Sequence, residues 1–247
     1  LIKNLRVTFV LSLLAAGWIA GSARAVIVQT NSYSATSEVA FPVSATDLIN
    51  QGQPSFSNQA VSGFAPFSCC GGQSDTAALN DGSAGTPSTS GGTAFDLDGT
   101  WTSTFNLNLA TNTSGYDITG VQTFTGWPDQ RTDQKYELLY STATSPGAFI
   151  SLGTFAFGPA AGGSAVISLT DTTGAIATHV AAVRFNIQAP GFVGADESVW
   201  REIDVMGAAS VVPEPYSLVL LGLGTVGFGA MVLRRRSKAC RRQIADL

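Results

Sequence analysis

Residues Trp101 to Leu109 read WTSTFNLNL. Trp101, Phe105, Leu107 and Leu109 fall on one side of an extended chain, and Thr102, Thr104, Asn106 and Asn108 on the other. That period of two belongs to a strand with one buried face, whereas a helix would scatter the same apolar residues around its axis. The pattern recurs downstream. KYELLYS (Lys135 to Ser141) groups Tyr136, Leu138 and Tyr140, and AVISLT (Ala165 to Thr170) is another short apolar run. AAVRFNIQ (Ala181 to Gln188) sets Val183, Phe185 and Ile187 against Arg184, Asn186 and Gln188. VWREIDVMG (Val199 to Gly207) sets Val199, Ile203 and Val205 against Trp200, Glu202, Asp204 and Met206. Short strands, glycine-rich joins and the lack of a persuasive amphipathic helix predict an all-β fold, a single antiparallel β-sandwich. NDGSAGTPSTSGG (Asn80 to Gly92) offers nothing to anchor a core and reads as an exposed loop. No internal repeat has a stable period, which argues against a solenoid or propeller.

The charges sort by position. Residues 26–212 hold Arg131, Lys135, Arg184 and Arg201 against 15 acids, a formal −11 with His179 neutral, while the other nine basic residues lie towards the two ends of the 247-residue sequence. So acidic a middle has no electrostatic footprint for nucleic acid. Near the start, Lys3 and Arg6 precede the apolar VTFVLSLLAAGWIA and then GSARA, whose Ala23 and Ala25 stand where a secretory signal is cut. This predicts a signal peptide over 1–25, read by the secretion translocase, and an extracytoplasmic domain over 26–207 followed by a linker over 208–212.

Val212-Pro213-Glu214-Pro215 precedes the uncharged run Ser217 to Leu233 and then Arg234-Arg235-Arg236. The run is long enough for a transmembrane helix over 217–233, and the arginines would hold its end, with the basic tail 237–247, on the cytoplasmic side. The three parts in this order resemble the PEP-CTERM sorting signal, over 212–236. The resemblance implies recognition of Pro213-Glu214-Pro215 by an exosortase-type membrane enzyme. It also implies a precursor in the bacterial inner membrane with its domain in the periplasm, and a mature form at the outer surface or outside the cell. Tyr216 departs from the small hydroxyl residue often found there.

ALNDG (78–82), TSTFNLN (102–108), the segment Tyr116 to Thr142 and WREIDVMG (200–207) resemble a divergent discoidin or coagulation-factor type C domain. That family has a galactose-binding-like jelly roll, so the resemblance implies one here. Asp81-Gly82 would lie in an early turn, Tyr136 to Ser141 in a central strand and Arg201-Glu202-Ile203 in the closing strand. Such domains often bind glycans through loops at one end. Trp127 would then stack on a sugar ring while Asp129, Gln130 and Arg131 bond its hydroxyls. Trp101 and Trp200 are further aromatic candidates, and ordinary core packing competes with this role at all three. The expected partner is an exopolysaccharide, and the alternative is a structural envelope or biofilm-matrix protein without a defined ligand.

Catalytic signals are thin. There is no Gly-x-Ser-x-Gly elbow or phosphate loop, and His179 has no companion for zinc. The acid pairs Asp196/Glu197 and Glu202/Asp204 would suit a glycosidase only if the fold set them across a bond; the expectation is no enzyme. Asp81, Asp96 and Asp98 offer hard oxygens in tight turns, and calcium would bridge them if the loops converge, although Asp-Gly also turns without an ion. Cys69-Cys70 leaves free thiols, a strained vicinal bridge or intermolecular pairing open.

Overall fold

The computed structural model describes residues 26–36, 41–69, 72–85, 93–96, 99–159, 161–172, 174–191 and 197–211. Among the described residues twelve strands follow one another: β1 (Ile27–Ser34), β2 (Phe56–Ser62), β3 (Ser68–Cys69), β4 (Gly72–Gln73), β5 (Ala94–Phe95), β6 (Trp101–Leu107), β7 (Tyr116–Trp127), β8 (Gln134–Thr142), β9 (Ser145–Phe157), β10 (Gly163–Asp171), β11 (Ala177–Ile187) and β12 (Val199–Ala209). Two short 3-10 turns, Thr76–Leu79 and Gln130–Thr132, are capped by Asp75 and Asp129, whose side chains accept the amides of Ala77 and Arg131.

Ten strands form one antiparallel sheet with the path β1-β10-β7-β11-β6-β2. β12 and β5 branch from β7, β8 and β9 branch from β11, and β3-β4 is a separate ribbon. β11 makes the corner. Its start pairs with β7 through Ala177↔Ile118 and Val180↔Tyr116, and beyond a register shift it runs between β6 and β8. The two halves of the sheet pack on each other. Tyr136 of β8 meets Trp200 of β12 with ring centroids 5.7 Å apart, and Thr123 of β7 donates to Gln134 Oε1 of β8 at 2.7 Å. Phe105, Tyr136, Leu138, Phe185, Trp200, Ile203 and Val205 are buried in one apolar core, the non-directional driving force of the fold.

The fold is all-β, but the expectation of a jelly roll with a membrane helix is corrected. β1 and β2 end the path without pairing to each other, so the sheet stays open. The helix expected over 217–233 falls outside the described residues, and among those described no helix is long and apolar enough to cross a membrane. The signal peptide expected over 1–25 and the tail 237–247 likewise lie outside them. β12 runs on to Ala209, and Ser210 N donates to Gly115 O at 2.9 Å, so the chain is still tied to the fold inside the stretch read as a linker.

β12 also departs from its expected half-buried face. Every residue from Val199 to Val205 is buried. A register shift between Trp200 and Glu202 reverses the alternation, as a bulge does. Trp200 thereby joins Ile203 and Val205 in the core, apart from Glu202 and Asp204. The opposite side is covered by the segment before β2, where Leu48 N donates to Val205 O at 2.8 Å.

Candidate functional site

Two places on this scaffold carry chemistry. The first is a buried carboxylate centre formed by Asp47, Glu202 and Asp204, which are 4%, 0% and 0% exposed. Each is anchored through one oxygen. Asp47 Oδ1 accepts Ile49 N at 3.0 Å and Val205 N at 3.2 Å, Asp204 Oδ2 accepts Ser44 N at 2.7 Å, and Glu202 Oε1 accepts Gly82 N at 3.3 Å. The second oxygens, Asp47 Oδ2, Asp204 Oδ1 and Glu202 Oε2, are buried without a hydrogen-bond partner. The three side chains bring oxygens within 4.8 Å of one another, about twice a calcium–oxygen distance of about 2.4 Å.

Loss of water pushes the Glu202 carboxyl up to about 10, helped by the charges of Asp204 and Asp81. Burial likewise pushes Asp204 up to about 7, with Asp47 adding to the rise, and raises Asp47 itself. Buried carboxylates this close need a proton or a cation between them. An all-oxygen, anionic donor set suits a hard cation of the calcium type.

Two loops complete the centre. Asn80 is fully buried, with Nδ2 donating to Ile49 O at 2.6 Å, so the segment read as an exposed loop begins with an anchor. Asp81 sits beside Glu202, and burial raises its carboxyl. Gly82 has φ +75°, and a Cβ there would lie 2.6 Å from Asn50 Nδ2 and 3.1 Å from Ala45 Cα. Gly82→Ala should therefore cost about 1–3 kcal/mol, read as a lower urea midpoint. An unchanged midpoint would mean that this turn is not pressed onto the 45–50 segment.

Of the three aspartates expected to share an ion, Asp81 stands beside this centre. Asp96 is committed elsewhere, accepting the amide of Ala65 beside the Pro66↔Asp96 bridge, and Asp98 lies outside the described residues. Asp47 carried no sequence signal, because its partners come from the far end of the domain. Glu202 and Asp204 are both fully buried beside Asp47 rather than set as a pair of acids across an open cleft. His179 is exposed, with Nδ1 3.0 Å from Ser114 O.

The Trp127 platform takes a different form from the one expected. Trp127 is 5% exposed and packs on Phe95 at 5.9 Å. The guanidinium of Arg131 lies 5.5 Å from its ring and is held by Asp129 at 2.5 Å. Asp129 is thereby kept below the usual carboxylate range. With its faces covered, Trp127 offers no flat surface to a sugar, and Asp129 and Arg131 engage each other beside the half-exposed Gln130. Trp101 and Trp200 are also buried.

The second place was not foreseen. On the outer side of β2, β6, β11, β8 and β9 lies an open groove of about 340 Å³, lined among others by Thr104, Asn106, Pro146, Phe149 and Arg184. Polar side chains cross the strands around it. Asn106 Nδ2 donates to Asn58 Oδ1 at 2.8 Å, Asn186 Nδ2 to Glu137 Oε2 at 3.0 Å, and Ser151 Oγ to Glu137 Oε1 at 2.7 Å.

Several solved structures are similar at low identity. The C-terminal domain of a Bacteroides fragilis chitobiase is 15% identical, with TM-score 0.41, covering 64% of this chain and 98% of its own. A putative chitobiase fragment from Bacteroides thetaiotaomicron is 14% identical, with TM-score 0.41, over 66% and 98%. The family 32 carbohydrate-binding module of Streptococcus pneumoniae EndoD is 9% identical, with TM-score 0.39, over 65% and 98%. No curated protein matches the sequence. Residues 211–236, which include the Val212-Pro213-Glu214-Pro215 and Arg234 to Arg236 elements that lie outside the described residues, match the PEP-CTERM protein-sorting motif, and the chain carries that signal.

Proposed function

We propose that this is a secreted, non-catalytic protein that is handed to an exosortase-type enzyme and binds extracellular polysaccharide with its β domain. The sorting match supports the address, with passage through the secretion translocase before it and the outer surface or medium after it. The observation that carries the binding function is the open groove on the outer face of β2, β6, β11, β8 and β9, apolar for the most part with Thr104, Asn106 and Arg184 placed along it. Ligand sites of this size combine apolar walls with a few placed polar groups. Amides, hydroxyls and a half-buried ring match the hydroxyls and apolar faces of sugars.

We further propose that Asp47, Glu202 and Asp204, with Asp81 beside them, hold calcium as a structural ion. It would neutralise the buried charge and fasten the 45–50 and 80–82 loops onto β12. No catalytic step is assigned to it.

The test is retention of the full chain on immobilised polysaccharides, where several weak contacts act together. Retention that soluble polymer competes away is expected. Absence of binding across a broad panel of neutral and acidic glycans would overturn the reading in favour of a structural envelope role.

A further inference from the structure

The few cations of the domain have distinct surroundings. Arg131 is held by Asp129, and Arg201 is buried with Nε donating to Gly126 O at 2.8 Å. Arg184 stands in the outer groove instead. Its Nε donates to Thr104 Oγ1 at 2.9 Å, and its guanidinium carbon lies 3.6 Å from the centroid of the Phe149 ring. Among the described residues it makes no ion pair. Stacking and the Thr104 bond fix the plane of the guanidinium, leaving its two terminal nitrogens for another partner. A planar fork held in place is the geometry that takes a carboxylate through two parallel hydrogen bonds.

We propose that this groove is a binding site for a carboxylate-bearing polysaccharide, a polyuronate, whose sugar carboxylate is taken by Arg184 beside Phe149, Pro146 and Asn106. The proposal rests on the polysaccharide-binding reading and names its ligand class. Residues 26–212 carry a formal −11, so diffuse attraction cannot gather a polyanion here. Recognition must come from one positioned cation, which makes it selective for the carboxylate group over general negative charge. The polymer is favoured over an acidic peptide because the groove lies on a sheet face, where the backbone groups of β6, β11 and β8 already pair with one another. The strands that floor the groove therefore offer an extended peptide no edge to join, and the free edges of β2 and β9 lie at its two sides. The polar side chains of Asn58, Asn106, Asn186, Glu137 and Ser151 instead extend the surface across five adjacent strands, with both carboxylate oxygens of Glu137 already taken by Asn186 and Ser151.

The experiment is calorimetric titration of the full chain with polygalacturonate, fully methyl-esterified polygalacturonate, a neutral galactan and polyglutamate. Polygalacturonate is expected to bind, and masking its carboxylates should weaken binding roughly tenfold or more. Arg184→Gln should produce a similar loss, Arg184→Lys should recover part of it, and Phe149→Ala should weaken binding because the fork loses its support. Thermal melting of each variant checks the fold, and should Arg184→Gln fail to fold, Arg184→Lys and Phe149→Ala carry the test. Equal affinity of the Arg184 or Phe149 variants and the native chain would overturn the site. So would equal binding of ester and acid, or of polyglutamate and polyuronate. Binding of the neutral galactan alone would overturn this inference and leave the polysaccharide-binding reading standing, whereas failure with every glycan of the broader panel would remove both.

Discussion

Stripping divalent cations from the full chain with a chelator is expected to lower its melting temperature, and adding calcium to restore it. A ligand that binds only the native state stabilises by about 2.7 kcal/mol at a free concentration about a hundredfold above Kd. For a domain of this size that corresponds to roughly 5–10 °C. The sign of the pH dependence follows from the same carboxyls. Glu202 and Asp204 are raised in the folded state, to about 10 and about 7, so folding favours their protonated forms. Without metal their contribution is fully present below the ordinary carboxylate range and fades as pH climbs through these values. The cation-free chain should therefore melt lower at pH 8 than at pH 5. Calcium requires the ionised carboxylates, so its stabilising effect should grow over the same interval. Glu202→Gln should abolish the calcium response while making the cation-free chain less sensitive to pH. Identical melting curves with millimolar calcium and with chelator at pH 8 would mean that protons alone settle this centre.

The strands that could be read in the sequence are those whose two faces differ. β6, β8 and β11 alternate because one face meets the core and the other meets solvent or the groove, and Trp101, Phe105, Tyr136, Leu138, Val183 and Phe185 are buried as their spacing requires. β12 resisted the same reading for two physical reasons. Its register shift changes which residues share a side, and the 44–50 segment buries the side that the alternation would expose. The carboxylate centre was half legible. Asp81-Gly82 reads as a turn with hard oxygens, but its partners Asp47 and Asp204 are joined to it only by long-range folding, and no local spacing announces them. The groove was illegible for a related reason. Arg184 and Asn186 read as an ordinary solvent-facing row, and only the β8–β9 hairpin, folding Phe149 over Arg184, turns that row into a site.

Trp200→Ala is expected to be the most damaging single change in the domain. The indole is fully buried, lies edge-on to Tyr136 at 5.7 Å and stands where the two halves of the sheet meet. Truncating a buried tryptophan costs about 3–5 kcal/mol through lost burial and the cavity left behind. A native domain has about 5–15 kcal/mol in all, so the melting temperature should fall by roughly 10 °C or more. Trp200→Phe separates ring packing from the rest of the side chain. Trp200 Nε1 is buried without a hydrogen-bond partner, so phenylalanine removes an unsatisfied donor while keeping an aromatic ring against Tyr136. It should lose much less stability than alanine. Near-ultraviolet circular dichroism and thermal unfolding of the three chains would read the difference. If the alanine chain melted within a degree or two of the native one, β12 would not be fastening the two halves through Trp200, and the corner at β11 would have to hold them together on its own.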